Sequence, residues 1–325
     1  MKTAVQTAPL VNIFGIDDAF RLIHEAGFDG VDFNIDTELP GKNIVNGEPS
    51  WLFSKSDEEI IEFARPYKEA GEKYGVYFHQ MHAPFPSYVV NEEGNDIVLD
   101  AIKKCIMVCG YLGCKNIIVH PMFLGYDQKL SPEAEWDINI ERYSQLIPAA
   151  KKYGVTVCLE NMFTGYRGKI YAAICAEMSE ANKYINYLNS IAGEKVFGFC
   201  LDVGHALLVG KEIYSTIMEI GDNLTTLHIH DNNGISDQHL FPYSGICDWD
   251  RFLKGLKDVG YKGALSFETF NAINVVDKAL AEPALKWGGA IAKMFKERVE
   301  GCFRIIRSPT ALPGTVNYSE STFSY

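Results

Sequence analysis

The sequence predicts an α/β chain folded as a single (βα)8 barrel, and three observations carry that expectation. Short apolar, β-rich runs alternate with longer stretches of helical periodicity, the pattern of βαβ units on a parallel sheet. Eight such runs fit into roughly 300 residues, the number and length of an eight-unit barrel. Several helical stretches stop at a glycine just before the next strand, as in EAGFDGVDF, KYGVYF, LGCKNIIV, KYGVTVCLE and DVGYKGALSF. Glycine suits the left-handed turn that ends a helix. A doubly wound open sheet is the alternative, but no G-x-G-x-x-G follows the first strand.

Taken in order, the opening strand lies near 2–8 and a helix near 16–26 leads to GVDFNI at 30–35. The segment 36–56, rich in Gly, Pro and Asn and carrying Trp51, has the length of a lid on the catalytic face. Helices at 57–74, 95–112 and 133–153 precede the strands VYFHQMHA (76–83), KNIIVHP (115–121) and VTVCLEN (155–161). GYRG at 165–168 then sets Arg167 either toward an anionic group or on a surface turn. Helices at 177–191, 211–220 and 249–259 precede FGFCLDVGH (197–205), TTLHIHD (225–231) and GALSFET (263–269), and a helix at 274–299 closes the set. Residues 1–300 are read as the barrel and 301–325, rich in Ser, Thr, Pro and aromatics, as a C-terminal tail or oligomer contact.

Composition narrows the function classes. With 47% hydrophobic and 22% charged residues in 325, the chain reads as an ordinary globular protein. No apolar run approaches the ~18 residues of a membrane span, and residues 1–15 lack the basic start and apolar centre of a secretory signal. A cytoplasmic chain without membrane association is expected. Eight cysteines are scattered with no Cys-x-x-Cys pair, which predicts buried reduced thiols and no cysteine-built zinc site. Cys105 and Cys109, one helical turn apart, are expected to face the core. A net charge of −12 argues against a general nucleic-acid binder.

The metal-capable residues gather at the C-terminal ends of the strands, which is the active-site end of such a barrel. His82, His120 and Glu160 end the third, fourth and fifth strands; Asp202 and His205 end the sixth. The seventh supplies His228, His230 and Asp231, with Asp237 and His239 in its loop, and Glu268 ends the eighth. One such residue alone is more often structural. Six consecutive strands ending this way are not, because buried carboxylates need a counter-charge and few Lys or Arg lie beside them. A divalent cation supplies it, and a mixed oxygen and nitrogen set without thiolate suits manganese, magnesium, cobalt or zinc. His228 and His230 point to the same side of their strand, so periodicity leaves the choice between them open. Phe33, Phe85, Phe123, Phe163, Trp249 and Phe270 fall near the barrel mouth, where each is either packing or a stacking surface for a ligand ring.

At these residues the sequence resembles the xylose isomerase-like TIM-barrel superfamily, over roughly 29–269. CLEN (158–161), LDVGH (201–205), LHIHDN (227–232) with DQH (237–239), and GYKGALSFE (260–268) carry the resemblance. It implies that Glu160, Asp202, His228 and Glu268 hold one divalent metal, manganese before magnesium, cobalt or zinc. Glu160 and Glu268 would then be the catalytic acid/base pair of a sugar isomerase or epimerase, which takes a proton beside a carbonyl through an enediolate stabilised by the metal. His82, His120, His205, Asp237 and His239 would bind the substrate, a small sugar or sugar derivative, and the enzyme would be a homo-oligomer.

The endonuclease IV branch matches the same residue types at these positions, but its abasic-site DNA substrate fits poorly with the negative charge. Catalytic subunits of C-glycoside deglycosidases, which act on 3-oxo-glycosides with a small partner subunit, also resemble this barrel. A metal-keeping binding module without catalysis is the remaining reading. The loop HLFPYSGICDW (239–249) and the lack of an arginine between His228 and Arg251 depart from ketose 3-epimerases, and the lysine of true xylose isomerases is not recognisable.

Overall fold

A computed structural model describes residues 1–301; Cys302 and the remainder of the expected tail lie outside the described residues. The strands are β1 (Lys2–Gln6), β2 (Gly30–Asn34), β3 (Tyr77–His82), β4 (Asn116–Ile118), β5 (Thr156–Glu160), β6 (Phe163–Tyr166), β7 (Lys169–Ala172), β8 (Phe197–Asp202), β9 (Leu224–His228) and β10 (Ala264–Phe267). Eight of them form one sheet in the order β10-β1-β2-β3-β4-β5-β8-β9, and every neighbouring pair is parallel. Ile229 joins the two ends: its N–H donates to the Ser266 carbonyl (2.8 Å) and its carbonyl accepts from the Glu268 N–H (3.1 Å). The predicted (βα)8 barrel is therefore the fold.

Local chemistry explains the boundaries. The helix Asp57–Tyr74 starts at a capping box, with the Ser56 side chain accepting from the Glu59 N–H and the Glu59 side chain accepting from the Ser56 N–H. It stops at Gly75, whose φ of 69° a residue with a Cβ adopts only with strain. The sixth barrel strand ends three residues earlier than the sequence pattern indicates. The Asp202 carboxylate accepts from the His205 N–H at 2.6 Å and so caps a helix, Val203–Leu208. His205 thus enters the site from a helix. The lid segment is not irregular throughout, since it holds a 3-10 turn, Asp36–Glu38, and a helix, Gly41–Asn46.

β6 and β7 form an antiparallel hairpin that the sequence did not announce. Its turn places Arg167 and Gly168 at φ of 50° and 74°, the pair of left-handed residues that a tight hairpin needs. The Arg167 guanidinium lies over the ring of Tyr166, 5.0 Å from its centre, on the exposed side of the turn. The surface-turn reading of GYRG holds.

The barrel has two interiors. Facing the helices, Val31, Phe33, Phe78, Val157, Phe197 and Phe199 join the main apolar core, where Cys105 and Cys109 are also buried. Inside the strands, Gln6, Asp32, Gln80, Thr226 and Ser266 are buried, next to a small separate cluster of Ile118, Cys158 and Cys200. Gln80 spans this interior, its Nε2 donating to Asp32 Oδ2 (2.8 Å) and to the Leu227 carbonyl (3.2 Å). Among the described residues no helix is long and apolar enough to cross a membrane.

His79, next to Gln80 on β3 but on the opposite face, gives a stability test. Burial disfavours its charged form and pushes the imidazole down to about 4, against about 6.5 in an unfolded chain. The unfolded state therefore binds the extra proton as pH falls, so this contribution is present above pH ~6.5 and is lost on the way down to pH ~4. The His79→Gln variant should lose about 2 kcal/mol less stability than the parent between pH 7 and 4.5, measured by urea unfolding at both values. Identical acid losses in the two proteins would rule this out.

Candidate active site

Strand geometry brings four acidic or imidazole side chains to one point at the C-terminal end of the barrel. Glu160 ends β5, Asp202 ends β8, His228 ends β9 and Glu268 follows β10, so their positions are set by neighbouring strand ends. His228 Nδ1 lies 3.3 Å from Glu160 Oε1, 3.4 Å from Glu268 Oε2 and 3.8 Å from Asp202 Oδ2. Its other ring nitrogen, Nε2, is 3.1 Å from Asp32 Oδ2. One face of the ring is thus anchored from below and the other is offered to three carboxylates. Glu160, Asp202 and His228 are all at most 1% exposed, and Glu268 is 6% exposed.

A second layer surrounds this point. His120 Nε2 lies 3.2 Å from Glu160 Oε2 and 3.1 Å from His82 Nε2. On the other side, the Asp237 carboxylate faces both His205 Nε2 (3.6 Å) and His239 Nε2 (2.8 Å). His230 points its Nε2 at both oxygens of Asp202, 3.0 Å from each, and stacks on His239 with ring centres 3.9 Å apart. Gln6 Nε2 donates to Glu268 Oε1 (3.0 Å).

Burial opposes charge on His82, Glu160, Asp202, His205, His228, Asp237 and His239, and attraction to oppositely charged neighbours overrides it. For His82, burial works against the imidazolium, but Asp36 and Glu160 outweigh it and raise the ring to about 9. His205 is likewise raised to about 10 despite burial, by Asp202, Asp237 and Glu160. His239 rises to about 9 beside Glu268 and Asp237. Burial would protonate Glu160, yet His228 and His120 hold it well below the usual carboxylate range. In a buried site whose described lining residues include no lysine or arginine, the carboxylates stay ionised only against positive charge, which protons on the histidines or a cation can supply.

The donor set fits a divalent cation. Three carboxylates and one imidazole nitrogen converge, and the ligand atoms of Asp202, His228 and Glu268 all lie within 4.8 Å of one another. Glu160 Oε2 is buried beside His120 Nε2 (3.2 Å) but has no well-aligned hydrogen bond among the described residues, which leaves a lone pair that a cation would satisfy. The Asp32 carboxylate, placed to accept from the remote nitrogen of His228, is the partner that ligating histidines commonly have.

Above the cluster opens a cavity of about 1120 Å³. All five expected substrate-binding residues, His82, His120, His205, Asp237 and His239, line it together with Glu160 and Glu268, while Asp202 and His228 lie beneath. Of the six aromatics singled out at the mouth, Phe85, Phe123, Phe163 and Phe270 line the cavity. Phe33 and Trp249 are core residues, 1% and 3% exposed. Asp231 has a structural role: its carboxylate accepts from Trp249 Nε1 (3.0 Å) and the Cys247 N–H (3.2 Å). Sequence reasoning missed Asp32, Asp36 and Gln6. A polar residue on the inward face of a barrel strand, where branched apolar side chains normally stack, was the available signal for Asp32 and Gln6.

Backbone proximity also shapes the site. A Cβ on Gly204 would lie 1.9 Å from His230 Cε1, so only glycine lets that ring reach Asp202. Gly204→Ala should displace His230 and destabilise the protein by about 1–3 kcal/mol, read by thermal melting. An unchanged melting temperature would show that the ring has room to move.

Residues 20–293 match the family model described as a xylose isomerase-like TIM barrel. An uncharacterized protein of Methanocaldococcus jannaschii is 28% identical over 60% of this chain, and the match spans 66% of that protein's length. Fructoselysine 3-epimerase of Shigella flexneri is 24% identical over 83% of this chain and 88% of its own. Among solved structures, a D-tagatose 3-epimerase-like protein superposes with a TM-score of 0.69 at 21% identity, covering 93% of this chain and 99% of the other. The 3-keto-D-glucoside 4-epimerase of E. coli gives 0.64 at 21% identity over 89% and 99%.

Proposed function

The chain belongs to the xylose isomerase-like TIM-barrel family, and on that premise we propose that it is a divalent-metal-dependent isomerase or epimerase of a sugar or sugar derivative, acting on the carbon beside a carbonyl. The observation that carries this reading is the pair of buried carboxylates, Glu160 and Glu268, standing on two sides of His228 Nδ1 at the floor of one cavity. The names of the relatives, epimerases of fructoselysine and of a 3-keto-glucoside, support the same class.

Glu160, Asp202, His228 and Glu268 would hold the cation, with manganese first and magnesium, cobalt or zinc as alternatives. When bound, it would polarise the carbonyl and offset the negative charge that grows as the neighbouring C–H bond breaks. One glutamate takes the proton on a carboxylate oxygen, and the other, on the opposite face, returns one. Glu160, held ionised by His228 and His120, is suited to begin as the base. The His82–His120 pair and the His205–Asp237–His239 group offer donors and acceptors for sugar hydroxyls on either side.

The DNA-hydrolase alternative calls for a basic groove. Among the described residues lining the cavity there is no lysine or arginine, which disfavours a phosphate backbone there.

Protein purified without added metal or chelator should carry about one divalent ion per chain and should exchange the α-proton of a keto-sugar with deuterated solvent, the exchange falling away after chelation. Elemental analysis and proton NMR read the two results. A metal-free protein whose exchange does not respond to any added divalent ion would overturn the proposal.

A further inference from the structure

The cavity is larger than one sugar ring needs. At about 1120 Å³ it exceeds the ~300–1,000 Å³ typical of sites for drug-sized ligands. Its imidazoles and most of its carboxylates gather at the floor, and the only other polar groups on the described lining are neutral, among them Asn12, Thr37, Asn91 and Gln128. At the floor, Phe85, Phe163 and Phe270 lie against His120, His205 and His239, with ring centres 5.0, 4.9 and 4.2 Å apart, and frame a polar patch of ring size.

Above the floor the wall changes character on one side. The loops after β2, β3 and β4, three neighbouring strands, contribute Val45, Val90, Phe123 and Leu124 to the lining. Val45 and Val90 are 54% and 67% exposed, and the Asn91 side chain ties their two loops together by donating to the Val45 carbonyl (3.3 Å). Apolar side chains left in water at the rim of a polar site are a surface that a ligand would cover. No lysine or arginine among the described lining residues is available to neutralise a phosphate, whose charge of nearly −2 would be desolvated beside buried carboxylates.

We infer that the substrate is an uncharged sugar derivative bearing an apolar substituent of aromatic-ring size, with the sugar on the histidine and carboxylate floor and the substituent against Val45, Val90, Phe123 and Leu124. The inference rests on the sugar-enzyme reading above and adds to it the substrate's charge and its second half. Val90 and Leu124 then set specificity without touching the reacting carbon.

The test is calorimetric titration of the metal-loaded full chain with methyl and 4-nitrophenyl glycosides of glucose and galactose in both anomeric forms, with 4-nitrophenol and glucose 6-phosphate alongside. For at least one sugar, the nitrophenyl glycoside should bind at least about tenfold more tightly than its methyl counterpart. Val90→Asp, at an exposed position that should leave folding intact, and Leu124→Ser should each remove most of that advantage and leave methyl glycoside affinity unchanged. Equal affinity for methyl and nitrophenyl forms, or an advantage that survives both substitutions, overturns the inference and leaves the sugar reading standing. Tighter binding of glucose 6-phosphate, or nitrophenol binding as well as its glycoside, also overturns it. If no glycoside binds, the inference fails, and the sugar reading is decided separately by α-proton exchange of a keto-sugar.

Discussion

Replacing Glu268 with glutamine is expected to slow exchange of the substrate α-proton by about 10²–10⁴-fold, with little change in the fold. The variant keeps the shape of the side chain, and an amide oxygen can still accept the hydrogen bond from Gln6 Nε2 that now reaches Oε1 at 3.0 Å. What it loses is the ability to take or return a proton. Because Glu268 Oε2 also lies 3.4 Å from His228 Nδ1, the substitution weakens any bound cation as well. The rate should therefore be measured with the metal saturating, so that the defect appears in kcat rather than in metal occupancy. Glu160→Gln should be at least as severe, because it also places a neutral amide against the imidazoles of His120 and His228. The double variant should be little slower than the worse single one, since an acid and a base that act in sequence fail as a unit. Exchange within tenfold of the parent in either single variant would remove the glutamates from the mechanism.

Asp32→Asn should weaken divalent-metal affinity by about 10- to 100-fold without touching any residue that lines the cavity. The Asp32 carboxylate lies 3.1 Å from His228 Nε2 and favours, in the neutral ring, the tautomer with its proton on that nitrogen. The lone pair of Nδ1 is then left facing Glu160, Asp202 and Glu268. An asparagine preserves the volume, but its neutral amide no longer adds to the basicity of the ring. At a fixed metal concentration the extra stability conferred by the ion should drop by about 1.4–2.7 kcal/mol, the equivalent of that loss in affinity. Competition against a chelator of known affinity reads the first quantity and melting with and without metal reads the second. Affinity unchanged within twofold would mean that Asp32 serves only the packing of the barrel interior.

The layout of the barrel was legible because each βα unit repeats the same local signals. Apolar runs mark the strands, and glycines at Gly75, Gly113, Gly154 and Gly260 adopt the left-handed turn where helices were expected to stop. The floor of the cavity was legible for a related reason: strand ends converge in this fold, so acids and imidazoles far apart in sequence meet at one mouth. Other features depended on contacts that no local pattern encodes. The helix beginning at Val203 follows from the Asp202 side chain folding back on the His205 N–H, and the run FGFCLDVGH reads as uninterrupted strand without that contact. The β6–β7 hairpin hides in FTGYRGKIYA because its tight turn uses an arginine at positive φ, a residue type that rarely signals one. Asp32 stayed hidden because a lone acid within GVDFN looks like an exposed strand position until Gln80 and His228 are seen to meet it. The preference for His228 over His230 came from family resemblance. The coordinates separate the two rings, one aimed at three carboxylates and the other at Asp202 alone.

Ile229 shuts the circle of strands with one donated and one accepted bond, and in the chain it stands between His228 and His230. The barrel is in this respect a hoop with its buckle set among the histidines. Native-state hydrogen exchange at that single amide would report on the integrity of the whole ring. Slipping the buckle would swing both imidazoles off their carboxylates at once, so loosening the cylinder and dismantling the site would be one event.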